Sequence, residues 1–355
     1  MSSFTLLEQS ILTTLVYFDC LDRALTAVEV WRYLTAVRGV GTAREELDGA
    51  VNSEQAAVRQ AYSFADVLTA LEIGSPLRRS FIAEKNGYLF LNGREQLYEE
   101  RIERLKISDQ WWKKMRRIAK WFSLVPYVRL VMASGSLGMQ HMTPGSDLDV
   151  LVVLRHGRIW TGRFLLTILM QLLGVRRHGR AVAGRICLNH YITDRSLHIP
   201  FHSLYNAVTY AQLVPVMAIS KIENQKHKEG SNLFLKFEQA NSWVRDYLPN
   251  RQPGGASLYT HVPPRLFTAW ACFGEWWLDS LWGDAVEWAL GRWQLRRITR
   301  RKETYAPGGR VRADDVMLAF HPDSPEQRVI DRFNRKMIEL GLAEFGNEKD
   351  SGLVD

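Results

Sequence analysis

Apolar side chains recur at helical spacing near the start of the chain, from Leu6 through Ile11 to Phe18. This period places them on one face of a helix and predicts a first helix there. The same pattern predicts a second helix that starts at Thr26 and a third over residues 64–71. A polar segment between the second and third helices, residues 39–58, indicates a loop or an insertion.

Two short runs of apolar and β-branched residues follow, on either side of Asn86-Gly87. An Asn-Gly pair between such runs predicts a β-hairpin. Three helices plus a hairpin is the pattern of a winged helix-turn-helix, whose third helix would be the candidate for a DNA groove. That helix carries Asp66, Thr69 and Glu72, which are acidic or neutral. Packing or protein contact is therefore the favoured interpretation of this fold, and DNA binding is the alternative.

Residues 94–123 form a long helical pattern in which Ser108 is a candidate N-cap. Basic and aromatic side chains mix in its second half, and the two interpretations are a nucleic-acid surface and a solvated helix face with aromatic anchors on its inner side. The second interpretation is favoured. The residues concerned are Lys113, Lys114, Arg116, Arg117 and Lys120, with Trp111, Trp112 and Trp121.

The motif with the clearest chemical meaning lies between residues 128 and 154. An apolar strand pattern over residues 128–133 ends at Gly135-Ser136, and Asp147 and Asp149 follow on either side of Leu148. Because alternate side chains of a strand share a face, the two carboxylates are expected to point the same way. Paired carboxylates repel each other unless a cation lies between them, and Mg²⁺ is typically held by one or two carboxylates plus substrate phosphates.

A Gly-Ser pair, a ten-residue spacer and Asp-x-Asp resemble the signature of the nucleotidyltransferase superfamily, which has the DNA polymerase β-like fold. The spacer length is that of the minimal nucleotidyltransferases. The resemblance implies a mixed sheet with helices in which Asp147 and Asp149 bind Mg²⁺, with Mn²⁺ as the alternative. It also implies that Gly135 and Ser136 hold the phosphates of a nucleoside triphosphate such as ATP, whose nucleoside monophosphate is moved to a hydroxyl acceptor.

The superfamily normally supplies a third carboxylate from a later strand, and this sequence departs from that pattern. The strand predicted at residues 185–192 carries Asn189 instead, which can accept a hydrogen bond but cannot act as a base. Asp194 follows at the end of the strand and is the alternative third ligand. His190 is another proton acceptor, although it is expected on the opposite face from Asn189 and is interpreted as a satisfied structural histidine.

Positive groups are needed to neutralise the leaving pyrophosphate. Arg158 and Arg163 come just after the Asp-x-Asp strand, at the start of a predicted apolar helix over residues 161–173. They are the candidate phosphate-binding cations.

The last third of the chain is predicted to be mainly helical. Residues 266–295 contain six tryptophans and lead into a cluster of arginines. A tryptophan-rich helix with a basic end is typical of a membrane interface. Acidic residues interrupt the segment, however, and anionic headgroups repel them. A buried helix in a C-terminal bundle is therefore the preferred interpretation.

Composition adds broad limits. A chain of 355 residues predicts two or three domains, and a net charge of +8 favours an anionic partner, with nucleic acid at the basic surface as one option. The cysteines at positions 20, 187 and 272 lie in apolar surroundings and are expected to be buried free thiols in a cytoplasmic protein. The N-terminus does not resemble a signal peptide, and no apolar run is long enough for a transmembrane helix.

The sequence thus predicts an α+β protein with three parts: a winged-helix-like domain over residues 1–105, a polymerase-β-like nucleotidyltransferase domain with a mixed sheet over 106–200, and a helical C-terminal domain over 201–355. The expected activity is Mg²⁺-dependent transfer of a nucleoside monophosphate to a hydroxyl on a protein, an RNA end or a small molecule. The alternative is a catalytically impaired, nucleotide-binding winged-helix regulator or complex subunit.

Overall fold

The computed structural model of the chain describes residues 4–37, 61–219, 228–252, 260–261, 263–306, 309–321 and 324–342. The described residues of the N-terminal part form four helices and a three-stranded antiparallel sheet in the order β1-β3-β2. Its elements are α1 (Leu6–Cys20), β1 (Leu25–Thr26), α2 (Ala27–Arg32), α3 (Phe64–Ala70), α4 (Pro76–Ser80), β2 (Ile82–Lys85) and β3 (Tyr88–Leu91).

The three helices and the hairpin predicted for this part are confirmed. Thr5, Thr26 and Ser63 cap α1, α2 and α3, each through a reciprocal side-chain and backbone hydrogen-bond pair that satisfies otherwise unpaired N–H groups. The additional strand β1 and the short helix α4 were not predicted. The polar segment predicted as a loop, residues 39–58, lies outside the described residues.

A single helix of 27 residues, α5 (Gln96–Phe122), leads from this part to the central sheet. Ser108 does not begin a helix there, so its prediction as an N-cap is wrong. Its hydroxyl donates to the carbonyl of Arg104 at 2.6 Å, one turn back, which allows a serine to sit within a helix. Trp112 is buried while Lys113, Arg116 and Arg117 are exposed, which confirms the expected division between aromatic anchors and a solvated basic face.

The centre of the protein is a six-stranded mixed sheet in the order β7-β4-β5-β6-β9-β8. Neighbours β5 and β6 run parallel, and all other neighbours are antiparallel. The strands are β4 (Val128–Ala133), β5 (Leu148–Leu154), β6 (Ile186–Thr193), β7 (Val214–Ala218), β8 (Arg310–Ala313) and β9 (Met317–His321).

Half of this sheet comes from the segment that was predicted to be a helical domain. Strands β7, β8 and β9 all follow residue 200, and the prediction of a mainly helical C-terminal part did not include them. These strands have four or five residues, and periodicity alone cannot assign such short runs. The sheet is therefore completed by strands that are distant in sequence from β4 and β5.

The remaining helices surround the sheet. They are α6 (Gly135–Gly138), α7 (Ile159–Leu172), α8 (Leu204–Ala211), α9 (Lys228–Ala240), α10 (Val244–Tyr247), α11 (Arg265–Leu278), α12 (Leu281–Thr299) and α13 (Glu326–Glu339). Among the described residues, no helix combines the length and apolar character that crossing a bilayer requires.

The tryptophan-rich segment forms a pair of helices, α11 and α12, rather than one buried helix. Trp276 and Trp282 are 72% and 81% exposed, so the prediction that this segment is buried is wrong. Cys272 on α11 is also exposed, whereas Cys20 and Cys187 are buried as expected, and all three thiols are free. Periodicity predicted an apolar face here but could not say whether another element would cover it.

Apolar side chains fill both faces of the sheet. One face packs against α1, α8, α9 and α13, and the other against α5, α7 and α12. A buried ion-pair cluster joins the N-terminal part to α13: the Asp19 carboxylate accepts from Arg94 Nε at 2.8 Å and pairs with Lys336. The N-terminal part is therefore fixed against the side of the sheet that carries the candidate site.

Candidate functional site

The Gly-Ser motif lies where β4 ends and α6 begins. The amide of Ser134 donates to the carbonyl of Asp149 at 3.0 Å, which brings the start of α6 against β5. Gly135 has a φ of +57°, and a Cβ at this position would lie 2.8 Å from Asp149 Oδ2. A side chain at position 135 is therefore excluded by backbone conformation and by contact with the carboxylate.

Asp147 and Asp149 lie together beside this turn, while Leu148 between them is fully buried. A carboxylate oxygen of each aspartate and Sγ of Cys187 lie within 4.8 Å of one another. The alternation expected of a strand thus brings both carboxylates to one side.

Burial and the neighbouring Asp147 carboxylate raise the pKa of Asp149 to about 6. Arg177 compensates in part, since its guanidinium pairs with Asp147 Oδ2 at 2.5 Å. Burial also raises the pKa of the Cys187 thiol, which therefore keeps its proton at neutral pH. Two acidic groups, one arginine and a neutral thiol leave the cluster able to accept further positive charge.

Asn189 reaches the pair from the neighbouring parallel strand β6. Its Nδ2 donates to Asp149 Oδ1 at 3.1 Å, so the residue expected at the third position does lie beside the aspartates. Asp194, the alternative, lies beyond the other end of β6, where it accepts a hydrogen bond from the His156 amide at 2.9 Å. The assignment of Asp194 to the third position is wrong.

A bulge in β6 changes the expected position of His190. Asp149 pairs with Cys187 and Leu151 with His190, so β6 has one more residue than β5 over this stretch. Asn189 and His190 consequently line the same pocket, and the prediction that they face opposite sides is wrong.

His190 is not the satisfied structural histidine that was expected. Its side chain is buried, and its Nε2 has no hydrogen-bond partner among the described residues. Burial lowers the pKa of His190 to about 3, so the ring is neutral at pH 7. Its ring packs edge-on against those of Tyr210 and His321, with centroids 6.2 and 5.8 Å away.

The aspartates, Asn189 and His190 line a pocket of about 360 Å³. Its far wall comes from α8 and from the chain around β8 and β9. Arg310 in this wall pairs with Glu326 at 2.8 Å and lies 4.4 Å above the Phe201 ring. Other side chains of the wall are Tyr205, Asn206, Thr209, Tyr210, Phe320 and His321. The pocket therefore has an acidic end at the aspartates and a cationic, aromatic end opposite.

The structure does not bring Arg158 to this pocket. Arg158 follows β5, whereas the aspartates lie at the start of this seven-residue strand, which extends about 3.3 Å per residue. Its guanidinium pairs with Asp284 at 2.6 Å. Its prediction as a phosphate ligand is wrong, because following the strand in sequence placed it at the opposite edge of the sheet.

The side chains of Arg163 and Ser136 also do not line the pocket. The Arg163 guanidinium is held under the pocket wall, 4.7 Å from the Phe320 ring centroid and hydrogen-bonded to Gln294. The Ser136 hydroxyl donates to Met142 Sδ at 3.1 Å, and the pocket is lined by Ser134 and Gly135 instead. Of the predicted phosphate-binding residues, only Gly135 lines the pocket.

Arg177, Cys187 and Arg310 line the pocket without having been predicted as site residues. Arg177 is brought there by an extended segment whose amide at position 177 donates to the Ile186 carbonyl at 2.9 Å. No spacing in the sequence marks this pairing. Arg310 comes from the strand pair β8 and β9, whose position in the sheet the sequence did not reveal.

The donor set fits a hard divalent cation. Asp147 and Asp149 offer carboxylate oxygen atoms, which Mg²⁺ and Mn²⁺ prefer, and Arg177 neutralises only part of their negative charge. The protonated thiol of Cys187 does not compete as an anionic ligand.

The comparisons with known proteins add no relative. No protein-family model matches the chain, and neither the curated proteins nor the solved structures contain a match.

Proposed function

We propose that this protein is a Mg²⁺-dependent nucleotidyltransferase, which moves a nucleoside monophosphate from a nucleoside triphosphate to a hydroxyl on a protein, an RNA end or a small molecule. One observation carries the proposal: Asp149 lies against the backbone of Gly135 and beside Asn189 of the parallel strand, at the acidic end of a pocket. This grouping joins a carboxylate pair to a turn that a phosphate can approach closely.

In this proposal, Asp147 and Asp149 hold Mg²⁺ or Mn²⁺, and Asn189 positions Asp149 through the hydrogen bond from its Nδ2. The metal, when bound, neutralises and polarises the triphosphate. Gly135, which has no side chain, leaves room for phosphate oxygens beside the carboxylates. Arg177 replaces Arg158 and Arg163 as the candidate phosphate cation, because it already lies at the aspartates and 47% of its side chain is exposed.

The other end of the pocket is proposed to receive the nucleoside or the acceptor. Tyr205 and Tyr210 provide aromatic surface, and Arg310 provides positive charge. Asn189 cannot take a proton from the acceptor hydroxyl. We propose that Nε2 of the neutral His190 ring forms a hydrogen bond with this hydroxyl and orients it. A pKa of about 3 makes His190 a weak base, so orientation is its proposed role.

The finer fold assignments belong to the same proposal. We assign the N-terminal part to the winged-helix-like folds because α1, α2 and α3 precede the β2–β3 hairpin. Asp66 and Glu72 are exposed on and after α3, which favours packing or protein contact over DNA binding. The order β4, Gly-Ser turn, Asp-x-Asp strand β5 supports the polymerase-β-like assignment of the central sheet.

The experiment is incubation of the purified chain with Mg²⁺ and each nucleoside triphosphate labelled at the α-phosphate, with candidate protein, RNA and small-molecule acceptors. Label is expected on the protein itself or on one acceptor, and Asp147→Ala and Asp149→Ala are expected to abolish it. Asp194→Ala is the matched control because this acidic residue lies at the other end of β6. Labelling that survives both pocket substitutions would refute the assignment of the aspartates.

Asn189 favours a second candidate function, the binding of nucleotide without turnover by a regulator or complex subunit. A third carboxylate would strengthen the metal site, and an amide supplies no negative charge. Saturable binding of a nucleoside triphosphate with Mg²⁺, together with no labelling and no pyrophosphate release for any acceptor, would select this function.

A further inference from the structure

The outward face of α11 is a continuous apolar surface. The large apolar side chains of this face are 57–77% exposed, and the small residue Ala269 lies exposed among them. Their spacing of three and four residues puts them on one side of the helix without a charged residue among them. The large residues are Leu266, Trp270, Phe273, Trp276 and Trp277.

The following helix α12 extends this surface. Leu281 and Trp282 at its start are 88% and 81% exposed, and Trp288, about two turns after Leu281, is 64% exposed. We call the outward side of α11 and α12 the tryptophan face. Single exposed apolar side chains are common on proteins, but a contiguous patch of this kind marks an interaction surface.

The inner sides of both helices are closely packed, which fixes the orientation of the tryptophan face. A Cβ on Gly274 would lie 2.7 Å from Pro126 Cγ, and one on Gly291 would lie 2.9 Å from Trp160 Cδ1. Gln294 donates to the Trp160 carbonyl at 2.9 Å on the same side. The helices therefore cannot turn their tryptophans inward without losing this packing.

Two acidic residues of these helices, Glu275 and Glu287, are half-buried against the protein. Glu275 accepts two hydrogen bonds from Arg129, at 2.7 and 2.8 Å, and Glu287 accepts from the amides of Trp160 and Thr161 at 2.9 and 2.8 Å. These contacts remove the argument from sequence that acidic residues would repel anionic headgroups.

The two acids nearest the connection between the helices are paired as well. Asp279 pairs with Arg155 at 2.5 Å, and Asp284 pairs with Arg158 at 2.6 Å. All four acids of the segment are thus matched by arginine or backbone N–H groups. The Asp284 side chain is 62% exposed, and Arg158 neutralises its charge locally.

Positive charge borders the tryptophan face instead. Arg292 lies on the outward side of α12 with its guanidinium 4.9 Å from the Trp288 ring centroid, and Arg296 follows one turn later. Arg297 and Arg300 continue the exposed basic end of the helix. Aromatic rings flanked by exposed arginines are typical of a helix at an anionic bilayer surface, where the rings enter the interface and the guanidinium groups contact the headgroups.

We propose that the tryptophan face binds the surface of an anionic lipid bilayer, without crossing it. The charge distribution favours this occupant over a second copy of the chain. Stacking two copies through this face would bring the basic ends of α12 near each other or against apolar surface, whereas phosphate-bearing lipids match both components. This proposal is independent of what the candidate site does.

The experiment is flotation of the full chain with vesicles of phosphatidylcholine and with vesicles of phosphatidylcholine plus phosphatidylserine. Binding is expected with the mixed vesicles, and it should weaken as salt is raised. The double substitution Trp276→Gln and Trp282→Gln should lower binding by at least about tenfold. Arg292→Gln and Arg296→Gln should each lower binding to the mixed vesicles about fivefold.

Ile73→Gln is the matched control, since Ile73 is 94% exposed in the N-terminal part. It should leave vesicle binding unchanged, and the melting temperatures of all variants should match that of the parent because the side chains are exposed. Failure of the parent chain to bind the mixed vesicles would overturn the proposal. A dimer in sedimentation velocity that the tryptophan substitutions dissociate, together with no vesicle binding by any of the proteins, would also overturn it.

Discussion

Asn189 donates a hydrogen bond to Asp149 across the parallel pair β5 and β6, with 3.1 Å between Nδ2 and Oδ1. A neutral amide therefore stands where a third carboxylate would add to the repulsion between Asp147 and Asp149. The amide partly satisfies the buried Asp149 carboxylate, whose pKa is raised by burial and by Asp147. A third carboxylate at position 189 is consequently expected to raise the affinity for metal and to lower the stability of the metal-free protein.

Asn189→Asp should tighten Mg²⁺ binding, because it adds a negative oxygen ligand beside two others. In the absence of divalent ions it should lower the melting temperature, because three carboxylates then repel one another. Calorimetric Mg²⁺ titration and thermal melts in chelator measure the two effects.

Asn189→Leu is the control for this substitution, since it removes the hydrogen bond without adding charge. It should not tighten Mg²⁺ binding. Unchanged metal affinity in Asn189→Asp would mean that this residue does not share a metal site with the aspartates.

Gly135→Ala should abolish nucleotide binding while leaving the chain folded. The added methyl group would meet Asp149 Oδ2 at 2.8 Å, and the φ of +57° disfavours any L side chain. Displacing Asp149 would disturb the carboxylate pair. Gly145→Ala is the matched control because nothing lies within 4 Å of its Cβ and its φ is not positive. Equal nucleotide affinity in Gly135→Ala and the parent would contradict the role given to this turn.

Asp19→Ala should destabilise the protein by about 3 kcal/mol, measured as the free energy of unfolding in urea. The Asp19 side chain is 1% exposed, and its removal leaves Arg94 and Lys336 without their shared partner. The expected loss of stability lies at the low end of the range for buried ion pairs, because Arg94 and Lys336 are both about one-quarter exposed and can rehydrate.

The exposed pair of Lys113 and Asp109 provides the comparison for Asp19. Lys113→Ala should change the free energy of unfolding by less than about 0.5 kcal/mol. Equal losses in the two variants would show that the Asp19 cluster does not hold the N-terminal part in place.

Acid should destabilise the fold through the buried imidazoles of His190 and His321. Burial lowers their pKa values to about 3 and about 4, against 6.5 for an unperturbed histidine. Below pH 6.5 the unfolded chain therefore binds protons that the folded chain does not, and stability falls as pH decreases toward 4. Each histidine contributes up to about 1.4 kcal/mol per pH unit.

Urea unfolding at pH 7 and pH 5 tests this dependence. The double substitution His190→Gln and His321→Gln should reduce the loss between the two pH values, and His178→Gln at an exposed position should not. The remaining loss should include His141, whose pKa burial lowers to about 3. An unchanged loss in the double variant would mean that these rings become protonated in the folded protein.

The sequence predicted local features better than long-range ones. Several predictions depend only on residues close in the chain, and they are confirmed: the helix that starts at Thr26, the helix over residues 64–71, the hairpin around Asn86-Gly87 and the Asp-x-Asp strand. Strands β8 and β9 join β6 more than 100 residues after it, and nothing in their short apolar runs encodes that partner.

The candidate site divides in the same way. Asp147, Asp149 and Gly135 are brought together by one strand–turn–strand unit, so spacing sufficed to group them. Arg177 and Arg310 are placed at the pocket by backbone pairing between segments that sequence spacing did not connect. Arg158 was misplaced because nearness in sequence was taken for nearness in space, although a strand of seven residues separates it from the aspartates.

The most direct test of the account is calorimetric titration of the full chain with each nucleoside triphosphate, with and without Mg²⁺. We predict saturable binding of at least one nucleotide that requires Mg²⁺ and that Asp149→Asn weakens by at least about tenfold. Absence of binding by every nucleoside triphosphate in the presence of Mg²⁺, or binding that Asp149→Asn leaves unchanged, would contradict it.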